Sequence, residues 1–168
     1  MILYEKVWPY IKTGDLIEWR TNSLVGALIR LRTGQKVNHT SIAIRFDVER
    51  EPRRHVMEAN ELIELNLLSD RLRHHNGSAY WRPLKARHDS KRAEIRHWAL
   101  EQRGRPYDWD GFFGSLFGRV SYDARLFFCS EFACAALVHV DIIDKPYKAP
   151  WPGEFGQFNC YGREVKIK

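Results

Sequence analysis

The sequence predicts an α+β protein, and three observations predict it. Short runs alternate apolar and polar residues with a period of two, and two of them lie close enough to pair as an antiparallel hairpin. Longer runs repeat apolar residues at helical spacing between capping residues and glycines. A length of 168 residues sustains one full hydrophobic core and is short for two, so a single domain over residues 1–168 is expected, with a small antiparallel sheet or barrel packed against helices.

Thr13-Gly14-Asp15 reads as a turn opening onto a short strand, Leu16-Ile17-Glu18-Trp19-Arg20. Asn22 or Ser23 then caps a helix in which Leu24, Ala27, Leu28 and Leu31 recur on one side, and Gly34 stops it. In the next strand, Asn38 to Phe46, the residues Ile42, Ile44 and Phe46 share one face while His39, Ser41 and Ala43 share the other. That second face is lined by small residues, so a helix is expected to pack closely there. After a polar connection, His55-Val56-Met57-Glu58-Ala59 supplies the hairpin partner, with Val56 and Glu58 on one face and His55 and Met57 on the other. Ile63 to Leu68 is a further apolar run, a polar segment follows it, and the stretch Ser78 to Leu84 reads as a strand that ends at Pro83. Asp89-Ser90 offers caps for a helix through Arg103, with Gly104 just beyond its end and Pro106 preventing continuation. The stretch from Arg105 to Gly118 is aromatic and glycine-rich without the Lys-Ser/Thr of a phosphate-binding loop. The tail from Pro146 to Lys168, rich in Pro, Gly and aromatics, is expected to wrap over the surface.

With 44% hydrophobic and 29% charged residues, the chain has the composition of a soluble globular protein, and no apolar run approaches the ~20 residues of a membrane span. The N-terminal segment lacks a basic region followed by a long apolar stretch, so no export signal is expected and the cytoplasm is the default compartment. The formal charge is +6. It concentrates between Arg71 and His97, where Arg71, Arg73, Arg82, Lys85, Arg87, Lys91, Arg92 and Arg96 face only Asp89 and Glu94. This basic 71–97 stretch is either a patch for an anionic partner or a solvated face that maintains solubility. Cys129, Cys134 and Cys160 form a sparse, odd set without C-x-x-C spacing, which fits a reducing compartment and gives neither a disulfide framework nor a structural metal site. No metal or cofactor is expected.

Chemistry converges on Leu126 to Leu137. An apolar run ends at Cys129, and Ser130 with Glu131 then forms the polar first turn of a helix built on Phe132, Ala133, Ala136 and Leu137. Unpaired N–H groups and the positive end of the dipole at a helix start favour a thiolate, although most free cysteines merely pack. Cys134, five residues on, lies about 140° round the helix from Cys129 and is expected to face the core. A cysteine nucleophile needs a base, and the base needs a polar group to orient it. His39 and Glu58, on neighbouring strands, supply those types. Each also has a packing alternative: His39 as a satisfied strand-end histidine, Glu58 as an ion-pair partner of the nearby arginines.

Five blocks carry a resemblance: Thr13-Gly14-Asp15-Leu16-Ile17, Asn38-His39-Thr40-Ser41-Ile42-Ala43-Ile44, Met57-Glu58-Ala59, Gly104-Arg105-Pro106-Tyr107-Asp108 and Phe128-Cys129-Ser130-Glu131-Phe132. In this order, histidine before cysteine, they resemble circularly permuted papain-like proteins of the NlpC type, the YiiX/YaeF-like group, whose wider relatives include lecithin retinol acyltransferase-like enzymes. The resemblance implies a permuted papain-like fold with the nucleophile at a helix N-terminus. It implies Cys129 as nucleophile, His39 as base, Glu58 as the orienting residue and Tyr107 as a hydroxyl beside the oxyanion or substrate. The implied activity is cysteine-dependent hydrolysis or acyl transfer at an amide, ester or thioester, on a peptide-like or acyl-lipid substrate. A non-catalytic module using the 71–97 patch is the alternative. The aromatic stretch from Trp109 to Phe117 is read either as core or as a lipid-facing surface.

Overall fold

A computed structural model of the chain describes residues 2–47, 52–59, 62–105, 128–146 and 150–168. Its centre is a six-stranded antiparallel sheet: β1 (Leu16–Thr21), β2 (His39–Phe46), β3 (Arg53–Ala59), β4 (Ile63–Leu67), β5 (Gly77–Arg82) and β6 (Val165–Lys166), in the order β4-β3-β2-β1-β5-β6. The helices are α1 (Ile2–Val7), α2 (Leu24–Thr33), α3 (Leu68–His74), α4 (Arg92–Glu101) and α5 (Phe128–His139). None of the described helices is long and apolar enough to cross a membrane.

Alternation along the strands gives the sheet two buried faces. Leu16, Ile42, Ile44, Met57 and Ile63 pack with Ile95 and Trp98 of α4, with Phe132 to Leu137 of α5, and with Phe155 and Tyr161 of the C-terminal segment. Ile17, Trp19, Ala43, Val56 and Ala79 pack on the other side with Tyr4, Ile11, Leu68, Leu72 and Ile167. Because α5 lies between the sheet and α4, it is buried on every side from Cys129 to Leu137, as an all-round apolar helix requires. Trp98 stacks on Phe132 with ring centroids 5.4 Å apart.

The turn before β1 is a polar clamp. Asp15, 1% exposed, accepts hydrogen bonds from Lys12 N at 2.9 Å, Trp81 Nε1 at 2.8 Å, Leu84 N at 3.0 Å and Arg92 Nη1 at 2.8 Å. One carboxylate thus ties the start of β1 to β5 and α4. Gly14 permits this with φ 85°, and a Cβ there would lie 2.9 Å from Ile95 Cδ1.

Three expectations require correction. The small-residue face of β2 does not receive the cysteine helix; α5 packs on the opposite face, against Ile42, Ile44 and Met57. The space over Ser41 is filled from the adjacent strand by Trp19, whose Nε1 donates to Ser41 Oγ at 2.7 Å. The C-terminal tail is not a surface wrap, since Phe155, Cys160, Tyr161 and Ile167 are buried and β6 completes the sheet edge. The segment after β4, read as polar, contains α3, because Leu68 and Leu72 at i, i+4 spacing are both 0% exposed beneath an otherwise charged helix.

Candidate active site

β2 and β3 pair with Ala43 opposite Val56 and Ile42 opposite Met57. Carried along the strands, this register places Glu58 diagonal to His39 on the same face, within reach of a long side chain. His39 Nε2 lies 3.1 Å from Glu58 Oε1. The carboxylate is buried to 0% exposure, whereas the imidazole remains 18% exposed.

Glu58 has two further partners that hold it still. Arg71 of α3 grips it with both arms, Nε to Oε2 at 2.6 Å and Nη2 to Oε1 at 3.1 Å, and Asn66 Nδ2 donates to Oε2 at 3.3 Å. A planar guanidinium matches a carboxylate in this two-pronged manner, which fixes orientation as well as charge. The guanidinium in turn lies over the Trp19 ring, 5.4 Å from its centroid. Both meanings attached to Glu58 in the sequence therefore hold geometrically: it is the partner of His39 and an ion-pair partner of an arginine.

Cys129 is the second residue of α5 and His39 the first of β2, so each stands at the end of its element, where packing on opposite faces is no barrier. The sulfur of Cys129 lies near enough to the imidazole to act on its titration. Since Nε2 is committed to Glu58, the other ring nitrogen is the one left for sulfur. Burial opposes a charge on His39, but the sulfur of Cys129 and the carboxylate of Glu58 outweigh it and raise the histidine pKa to about 10. Burial likewise opposes the charge on Glu58, yet the hydrogen bonds and charges of His39 and Arg71 lower its pKa to about 2. Glu58 in return raises the pKa of Arg71, mainly through their hydrogen bonds.

The other cysteines stand apart from this group. Cys134 is 0% exposed, and burial, with Glu131 and Cys160, pushes its pKa up to about 12. Burial raises that of Cys160 to about 11. Tyr107 and the Trp109 to Phe117 stretch lie outside the described residues, as does the chain from Pro106 to Asp108.

Arg71 is the neighbour of Glu58 that sequence reading did not single out. Its signal was present in the Leu68–Leu72 spacing, which sets Arg71 on a helix packed beside the histidine face. Four of the other basic residues of 71–97 are ion-paired. Arg82 pairs with buried Glu18 and with Glu164, Arg92 with Asp15 and Asp89, Arg73 with Asp70, and Lys91 with Glu94.

No protein-family model and no curated protein matches the chain. The fold does have a solved counterpart: a mixed α+β architecture in which an antiparallel sheet is covered by helices on both faces. It is that of the crystal structure of YiiX from Escherichia coli O157:H7, described as a metalloprotein. The two agree with a TM-score of 0.61 at 16% sequence identity, over 94% of this chain and 96% of that one.

Proposed function

We propose that the protein is a cysteine-dependent acyl hydrolase or acyltransferase with Cys129 as nucleophile and His39 as general base, and with Glu58 and Arg71 positioning the base. The observation that carries this reading is the His39 imidazole hydrogen-bonded to Glu58, which Arg71 grips in turn, beside the Cys129 sulfur that acts on its titration. The ring, cationic while it faces an anionic sulfur, holds the proton that leaves the thiol. Sulfur then attacks the acyl carbon, and the carbonyl electron pair moves onto oxygen. Backbone N–H groups in the first turn of α5 receive that oxyanion on this reading, and by resemblance Tyr107 assists. Collapse breaks the bond to the amine, alcohol or thiol, which departs with the proton from His39. Water, activated by the same nitrogen, releases the acid; an amine or alcohol in its place gives transfer. By the same resemblance, the fold is a permuted papain-like one and the substrates are peptide-like or acyl-lipid.

The solved counterpart's description raises a metal centre as a second reading. Among the described residues there is no cluster of three or more His, Cys, Asp or Glu side chains able to hold a metal ion. The carboxylate of Glu58 already accepts from Arg71, Asn66 and His39. With its oxygens so engaged, Glu58 does not fit as a ligand to a resident metal.

Iodoacetamide labelling with mass mapping tests the nucleophile. One thiol, Cys129, reacts fast at neutral pH in the native protein; Cys129→Ser removes the fast phase and His39→Ala slows it. Equal and sluggish labelling of all three cysteines overturns the proposal.

A further inference from the structure

The helix α2 is amphipathic in the wrong sense for a solvated surface. At ~100° per residue, Ala27, Leu31, Leu24, Leu28 and Val25 cover a continuous arc of about 160°, broken only by Arg32. This arc faces outward: Leu24 is 87% exposed, Leu31 83%, Leu28 65% and Val25 62%. The inward side is narrow and small. Gly26 and Ile29 are its buried members, and a Cβ on Gly26 would lie 2.8 Å from Thr21 O. The helix is nevertheless firmly built. Ser23 Oγ caps Gly26 N at 3.0 Å, Gly34 closes the end at φ 66°, and Arg30 Nη1 donates to Thr21 O at 2.7 Å and to Asn38 Oδ1 at 3.1 Å. Its apolar ridge is therefore a fixed feature of the surface, where exposed apolar area normally marks an interaction site.

Charge identifies the occupant. The helix itself carries Arg30 and Arg32 and no aspartate or glutamate, and Arg20 precedes it; of the other cations between Trp19 and Phe46, Lys36 pairs with Glu164 and Arg45 with Asp47. An apolar arc on a helix whose own charges are all basic matches an anionic bilayer surface, into which such a helix sinks its apolar face while the cations meet headgroups. We propose that α2 is a peripheral membrane-docking helix for anionic lipid bilayers. It also sets the orientation of the molecule, because Asn38, gripped by Arg30, is the chain neighbour of His39. A bilayer on α2 thus lies beside the end of the sheet where His39 meets Cys129. Docking itself does not depend on the acyl chemistry; its consequence for substrate, an acylated amphiphile drawn from the bilayer, rests on that reading.

Vesicle cosedimentation tests the proposal, with phosphatidylcholine vesicles made with and without phosphatidylglycerol. The full chain binds the anionic vesicles, more weakly the neutral ones, and binding falls as salt is raised. The triple variant Leu24→Ser, Leu28→Ser, Leu31→Ser lowers the partition coefficient at least ~10-fold with an unchanged thermal midpoint. Arg32→Glu weakens binding to anionic vesicles more than to neutral ones. Cys129→Ser binds as the wild type does, so loss of the acyl chemistry and loss of docking are read separately. Equal binding by the triple variant overturns the proposal. So does absence of vesicle binding, whether the arc is then found covered by a second copy, seen as leucine-dependent self-association by light scattering, or by residues 106–127, seen as crosslinks to α2.

Discussion

Replacing Glu58 with glutamine preserves the size of the side chain and removes its charge, and the consequence has a definite dependence on pH. The carboxyl has an ordinary value of 4.5 and titrates at about 2 in the folded protein. A depressed carboxyl stabilises the fold above its unfolded value and loses that contribution as pH falls toward the folded one. The drop corresponds to on the order of 3 kcal/mol at pH 6, of which about 2 kcal/mol is gone at pH 3. Glutamine has nothing to titrate. Urea unfolding of wild type and Glu58→Gln at both pH values therefore gives a stability difference that shrinks by about 2 kcal/mol on acidification. Asp15 and Glu18, whose pKa values are raised chiefly by burial, titrate in both proteins and cancel in the difference. A difference that stays constant between pH 6 and pH 3 would refute the claim that this carboxylate is held ionised by His39 and Arg71.

Further outcomes follow from the same geometry. Arg71→Gln removes the two-pronged grip but leaves His39, so the acid limb of the stability profile moves up in pH and native labelling of Cys129 slows; Arg71→Lys restores charge without the fork and recovers only part of both. The raised histidine gives the opposite sign: its contribution is complete below the ordinary value of 6.5 and is lost as pH rises toward about 10, so His39→Gln flattens the alkaline limb of urea unfolding measured from pH 6 to 10. Cys134 and Cys160, whose pKa values burial raises to about 12 and about 11, react with a thiol reagent slowly in the native protein and at once in urea, read by mass mapping. Gly14→Ala strains a backbone at φ 85° and drives a methyl toward Ile95, costing about 1–3 kcal/mol by thermal or urea unfolding.

The parts of the fold legible in the sequence were those in which a local pattern and its tertiary use agree. Alternation in β2 and β3 fixes which residues share a face, and Val56 opposite Ala43 confirms that His39 and Glu58 share theirs. Cys129 at the start of α5 and Cys134 in the core follow from helical geometry alone. Long-range pairing was hidden. Nothing local distinguishes Arg71, which meets the buried Glu58, from Arg73, which meets exposed Asp70 on its own helix. Nor does alternation report that Trp19, arriving from β1, occupies the space over Ser41 and sends α5 to the other face.

The leucines of α2 show where the periodicity argument itself stops. Leu24, Ala27, Leu28 and Leu31 satisfy every local criterion for a core-facing stripe, yet they face out. The inner side is decided instead by Gly26, which admits Thr21 O where any larger residue clashes, and by Arg30, whose bonds to Thr21 and Asn38 anchor the helix to the end of the sheet. Periodicity measures how amphipathic a helix is, not which face the protein buries; close approach of backbone and polar anchoring can reverse the sense. That reversal leaves apolar side chains in water on a rigid helix next to the histidine strand. Maintaining it costs solubility without a packing gain, so the arrangement makes physical sense only if the ridge has an apolar surface to meet. The charges of α2 itself, Arg30 and Arg32 with no acid among them, then favour an anionic lipid surface over a second copy of the same basic helix, which would bring Arg32 against its own kind.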